Sequence, residues 1–109
     1  MEFPTSSNDR QRLQPDIIGD VQFYETRAGG RREAIARNRF ACPFRLQGEL
    51  IDCVLLLDEV GPILPGQRVK VPIKFLSPHL IKYILSPGQR FELWDMRVFA
   101  DGTILSISS

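Results

Sequence analysis

The stretch Arg68-Val69-Lys70-Val71-Pro72-Ile73-Lys74-Phe75 decides the fold of this chain. Its four apolar residues alternate with basic residues or proline, and this period of two predicts a β-strand with one buried face. The strand follows a Pro65-Gly66 turn. Because Pro72 cannot donate a hydrogen bond to a neighbouring strand, we expect it at an edge, a bulge or a corner of a barrel.

Short apolar segments separated by turn residues lie on both sides of this strand. We predict further strands at residues 16–25, 40–46, 51–57, 90–95 and 96–107. No run of ten or more residues combines helical periodicity with capping residues. Residues 77–87 fit one or two helical turns as well as an extended connection. About six short strands in series predict an all-β fold, a small closed antiparallel β-barrel, because closure removes exposed strand edges.

Length and composition are those of one folded domain. The chain has 109 residues, of which 43% are hydrophobic and 25% charged. Residues 1–15 are polar and aperiodic, so we expect a flexible N-terminal arm followed by a single barrel domain over residues 16–109. We also expect a cytoplasmic protein without membrane contact, since no segment has the apolar length of a leader or a membrane span.

Positive charge is concentrated in one early segment. Six arginines and one acidic residue lie between Arg27 and Arg45, a net charge of +5, whereas residues 46–109 carry −1. The arginine fork suits phosphates and carboxylates, so this segment is a candidate surface for an anion, RNA or a protein partner. The alternatives are that these side chains are only solvated, or that Arg31 ties the preceding glycine turn to a carboxylate. The candidate residues are Arg31, Arg32, Arg37, Arg39 and Arg45.

The sequence contains no set of residues with a catalytic spacing. It has no Gly-x-x-x-x-Gly-Lys-(Ser/Thr) loop, and no nucleophile pattern accompanies His79, the only histidine. The only cysteines, Cys42 and Cys53, have neither a zinc nor a redox spacing. They fit two free thiols or a disulfide between neighbouring strands. We therefore predict no enzymatic activity, no cofactor, no metal and no bound nucleotide.

Four turn motifs occur in a defined order along the chain: Gly29-Gly30-Arg31, Pro65-Gly66-Gln67, Gly88-Gln89-Arg90-Phe91 and Asp101-Gly102-Thr103-Ile104. In this order and spacing, residues 20–107 resemble the C-terminal (third) β-barrel domain of elongation factor Tu, as a stand-alone single-domain protein. In that family the barrel packs beside the GTPase domain and helps to hold the T stem of aminoacyl-tRNA. The resemblance carries over most directly to Arg31. Arg39 takes the arginine position of the family's Tyr-Arg-Pro-Gln stretch, whose glutamine falls near Cys42.

The resemblance implies a non-catalytic binding module that docks to a protein partner linked to translation. The alternative is an RNA-binding or tRNA-binding module that uses the arginine surface. A third hypothesis, an immunity or antitoxin-like protein that mimics the factor, rests on fold analogy alone. The salt dependence of binding would distinguish the first two hypotheses, because phosphate contacts weaken steeply as the salt concentration rises and an apolar protein interface does not.

Overall fold

The structure is a computed structural model that describes residues 13–108. Most of the expected N-terminal arm, residues 1–12, lies outside the described residues, and residues 13–15 have no regular secondary structure. The strands are β1 (Ile17–Phe23), β2 (Arg39–Leu46), β3 (Glu49–Leu56), β4 (Arg68–Phe75), β5 (Arg90–Trp94) and β6 (Val98–Ile107). Each begins and ends within two residues of its predicted bounds, and no α-helix occurs between residues 13 and 108.

All neighbouring strands pair antiparallel and form a closed barrel in the order β1-β4-β3-β2-β5-β6. The prediction of an all-β, six-stranded closed antiparallel barrel is confirmed. β4 pairs with β1 from Arg68 to Ile73, but its pairing with β3 begins only at Ile73. Pro72 therefore lies where β4 departs from β3, an edge position that tolerates a missing N–H group.

Alternate side chains of the strands fill the barrel interior. In β4 the inward residues from position 71 onward are at most 1% exposed, as the alternation predicted. The Phe44 ring stacks on Phe91 with centroids 4.5 Å apart and meets Phe75 edge-on at 4.9 Å. Phe91 also lies against Gly102 of β6, where an added Cβ would come within 2.6 Å of the ring. Glycine at this position makes room for the aromatic core.

The antiparallel order gives the barrel two ends. The loop end carries the β1–β2 connection, the β3–β4 connection and the β5–β6 turn, which are residues 24–38, 57–67 and 95–97. Two backbone hydrogen bonds of 2.9 Å between Ile35 and Ile63 close it, and both side chains are buried. The hairpin end carries the Gln47-Gly48 turn and residues 76–89. There, the positive φ angles of both turn residues, 52° and 84°, match a type I′ hairpin.

Residues 77–87, for which the sequence left two alternatives, form two short 3₁₀ turns. They are Pro78–Leu80 and Lys82–Ile84, and Ile81 between them is 1% exposed. Ile84 and Leu85 pack against the core from the same segment. The helical-turn alternative is therefore confirmed, and the segment closes the hairpin end of the barrel.

Candidate binding surfaces

Arg31 lies at the loop end, directly after a turn that requires glycine. A Cβ at Gly30 would lie 2.0 Å from the carbonyl oxygen of Tyr24, so a larger residue does not fit. Arg31 Nη1 donates to Asp95 Oδ2 at 2.5 Å, and its guanidinium carbon lies 4.8 Å from the centroid of the Phe40 ring. Arg31 thus has the structural role that was one of the alternatives, because it ties the glycine turn to a carboxylate on the β5–β6 turn.

Arg39 and Arg45 lie near opposite ends of β2, and each is paired with an acidic residue. Arg39 Nε is 3.6 Å from Asp58 Oδ1, and Arg45 Nη1 is 3.7 Å from Glu92 Oε1. The Arg45 guanidinium also lies over the Trp94 ring, 5.6 Å from its centroid. The two arginines are six positions apart along the strand, a distance of roughly 20 Å, since a strand rises about 3.4 Å per residue.

Arg32 and Arg37 are exposed on the β1–β2 connection. Within residues 13–108 neither of them forms an ion pair. The structure therefore brings Arg31 and Arg32 together beside the β5–β6 turn, places Arg37 just before β2, and separates Arg45 from the others. The net charge of +5 counted along the sequence is partly neutralised by carboxylates from distant parts of the chain.

The glycine turn and the β5–β6 turn enclose a cleft at the loop end. Its volume is about 320 Å³, and it lies between Arg31, Arg32 and Glu33 on one side and Asp95 and Arg97 on the other. Arg97 Nε donates to the Gly29 carbonyl oxygen at 2.8 Å, a second link between the two turns. Each turn therefore holds the other in place, and the cleft is preformed.

Met96, between the cleft residues Asp95 and Arg97, is an exposed apolar residue that sequence reasoning did not single out. The final strand was predicted from residue 96, after or across a break. It begins two residues later, at Val98, and Met96 occupies the tip of the β5–β6 turn with φ +67°. Its side chain is 97% exposed. A left-handed backbone costs a non-glycine residue about 1–2 kcal/mol, and such residues cluster at functional sites. The sequence feature that could have indicated this exposed turn is the position of Met96 between two charged residues, Asp95 and Arg97.

A second surface lies at the hairpin end and is apolar. We call it the apolar surface: Leu50, Leu76, Leu80 and Tyr83, with exposed fractions of 55%, 58%, 60% and 84%. The Leu76 N–H donates to the Asp52 carbonyl oxygen at 3.1 Å, which places Leu76 beside Asp52 of β3. Asp52 is two residues from Leu50 on the same strand, so Leu50 and Leu76 are near each other. Leu80 and Tyr83 are exposed on the two 3₁₀ turns at the same end of the barrel. Exposed apolar residues that lie together mark interaction surfaces more often than a scattered leucine does.

The other titratable side chains that the sequence singles out are His79, Cys42 and Cys53. His79 is exposed, and within residues 13–108 no group of three or more His, Cys, Asp or Glu could hold a metal ion. Cys42 and Cys53 are directly opposite each other on β2 and β3, with their Sγ atoms 3.9 Å apart, as buried free thiols. The hydrogen bond with Cys42, together with burial, raises the pKa of the Cys53 thiol well above its usual value.

The two surfaces lie at opposite ends of the barrel, and none of the described helical segments has the length and apolarity needed to cross a membrane. No protein-family model matches the chain, and a search of the curated proteins finds no relative. The loop-end cleft and the apolar surface are therefore the observations from which function is inferred.

Proposed function

We propose that this chain is a non-catalytic binding module that docks to a protein partner through its loop end. Its resemblance to the C-terminal barrel of elongation factor Tu supports a cytoplasmic partner linked to translation. The observation that carries the proposal is Met96, an almost fully exposed apolar side chain on a turn that is fastened at two points.

The surroundings of Met96 support protein docking. The Arg31–Asp95 and Arg97–Gly29 contacts hold the turn, so little ordering of the loop is needed on binding. Methionine is flexible and polarisable, and it is frequent at surfaces that bind proteins. Asp95 and Arg97, two polar residues that line the cleft, flank it on the β5–β6 turn. An apolar anchor inside a polar rim is the usual anatomy of a protein interface.

Charge pairing favours a protein over RNA. Arg31, Arg39 and Arg45 each lie within 4 Å of a carboxylate, which reduces their attraction for phosphates. RNA binding needs several unneutralised cations along a backbone track. Of the five candidate arginines, only Arg32 and Arg37 are exposed without a carboxylate partner in the described residues. No observation in the structure favours the immunity or antitoxin-like hypothesis.

Affinity capture with matched variants tests the proposal. The tagged 109-residue chain is incubated with nuclease-treated and untreated bacterial lysate, and retained proteins and RNA are quantified. Met96→Gly removes the side chain and suits the positive φ angle, so the fold should be retained. Leu105→Ala, an exposed residue of β6, is the control for loss of apolar surface.

We expect at least one protein that survives nuclease treatment, falls about tenfold or more with Met96→Gly, and is unchanged with Leu105→Ala. Retention that depends on RNA and is lost in the Arg32→Glu/Arg37→Glu double variant would instead establish the RNA-binding alternative. A captured set that Met96→Gly leaves unchanged would refute docking through the loop end.

A further inference from the structure

We propose that residues 1–12 of this chain cover an open strand edge of the barrel. The open edge is the side of β4 that faces β3 over residues 68–72. An uncovered edge is a template on which other chains can pair, so the cover protects the barrel from such pairing. It is independent of the loop-end partner.

One side of β4 lacks a paired strand near the loop end. β4 pairs with β1 along residues 68–73, whereas its pairing with β3 spans only residues 73–75. Within the described residues, the open edge therefore has a strand on the β1 side and no paired strand on the β3 side.

The backbone groups of Arg68 and Lys70 point towards the open side. In an antiparallel pair, alternate residues turn their N–H and C=O groups to the same neighbour. The Phe23 N–H donates to the Gln67 carbonyl oxygen at 2.9 Å, which assigns the odd-numbered positions of β4 to β1. The even-numbered positions face the other side, where Arg68 and Lys70 have no backbone partner among residues 13–108.

A groove lies beside the open edge, and the chain before β1 lines it. Its volume is about 550 Å³. The lining includes Pro72 of β4, Leu56 at the end of β3, and Asp58 and Glu59 of the β3–β4 connection. Leu13, the first described residue, lines the same groove. The twelve residues that precede Leu13 in the sequence therefore start next to the open edge.

The length of this segment suits the open edge. Residues 68–72 span roughly 14 Å, since a strand rises about 3.4 Å per residue. About five extended residues cover that distance, so residues 8–12 are enough to reach from Leu13 along the edge. Pro72 is compatible with an added strand because it has only a carbonyl group to be paired.

Charge complementarity supports this occupant. Residues 9–12 read Asp-Arg-Gln-Arg, a net charge of +1 directly before Leu13. In the groove, Asp58 lies 3.6 Å from Arg39, whereas Glu59 is exposed and forms no ion pair within residues 13–108. The two arginines of the segment therefore enter a groove that holds one carboxylate without a cation.

The other charges along the open edge do not oppose this occupant. Arg68 pairs with Asp20 at 2.7 Å. Lys70 is exposed and forms no ion pair with the described residues, and Asp9 of the covering segment supplies a charge of the opposite sign.

Amide hydrogen exchange of the 109-residue chain, followed residue by residue by NMR, tests the cover directly. Without a partner, the Lys70 N–H exchanges rapidly even in the folded barrel. We expect it to be protected in the 109-residue chain and to exchange at least about tenfold faster in a variant that begins at Leu13. The Val71 N–H faces β1 in both chains and should stay protected, which shows that the barrel is intact.

A charge-exchange cycle in the 109-residue chain identifies the occupant without truncation. Arg10→Glu/Arg12→Glu together and Glu59→Arg alone should each speed exchange at Lys70 several-fold. The triple variant that combines them should return to within a few-fold of the original rate, because the opposite charges meet again. Glu49→Arg replaces an exposed acidic residue at the hairpin end and is the matched control, which should leave the rate unchanged.

Three results would overturn the inference. The first is equal exchange at Lys70 in the 109-residue chain and in the variant that begins at Leu13. The second is a triple variant that shows no recovery. The third is protection of Lys70 that falls on dilution, because a second copy of the chain, and not residues 1–12, would then cover the edge.

Discussion

At the scale of single residues, Tyr24 shows how the barrel changes the chemistry of a side chain. Its hydroxyl donates to Asp101 Oδ2 at 2.8 Å. Burial, and then the bond to this carboxylate, raise the pKa of Tyr24 from 10.0 to about 12. Because the folded protein favours the protonated phenol, the stabilisation from Tyr24 is present below pH 10 and is lost as pH rises to about 12. We expect Tyr83→Phe, which leaves Tyr24 as the only tyrosine, to show a phenolate absorbance midpoint near pH 12 when folded. The same variant in denaturant should titrate near the model-peptide value of about 10. Equal midpoints in the two states would contradict the Tyr24–Asp101 contact.

At the scale of an element, β4 should respond to substitution according to its two faces. Ile73 is fully buried, and β4 places it opposite Ile17 of β1 and Leu55 of β3. We expect Ile73→Ala to lower the free energy of unfolding by about 2–5 kcal/mol, because neighbouring side chains cannot fill the void. Lys70→Ala on the exposed face of the same strand should change it by less than about 0.5 kcal/mol. Urea unfolding followed by circular dichroism measures both values. Similar small changes at the two positions would disprove the assignment of the buried face.

At the scale of the whole molecule, barrel closure controls access to the two thiols. Cys53 is fully buried and Cys42 is 6% exposed. Of the neighbouring strands, β2 and β5 share the fewest paired residues, Phe44 with Leu93 and Arg45 with Glu92. We expect native alkylation by iodoacetamide to be at least about a hundredfold slower than in the unfolded chain, since reaction requires opening of the core. In increasing urea, the alkylation rate should rise in parallel with global unfolding. Rapid labelling of Cys42 alone in the native protein would show that β2 separates from β5 while the rest of the barrel stays folded.

Much of the fold could be predicted from local patterns. The alternation in β4 predicted its buried face, and the Pro-Gly turns predicted where strands begin, since both effects act within a few residues. The same reasoning missed the turn at Met96, because a methionine with a positive φ angle contradicts local preference. It also left the conformation of residues 77–87 undecided, since the burial of Ile81 depends on the barrel that this segment closes.

The sequence by itself determined the strands, the glycine and proline turns and the all-β class, because the backbone preferences and the alternation that specify them are local. Only the tertiary structure decided the strand order, and whether each candidate residue is buried or forms an ion pair. Arg31 meets Asp95 across 64 positions of sequence, so a count of charges within one segment could not reveal that this arginine is neutralised. The same long-range pairing leaves Glu49 and Asp52 without an ion pair in the described part of the chain and brings Leu76 beside β3. Ion pairing and burial depend on distances in space, and those distances are set only when the barrel closes.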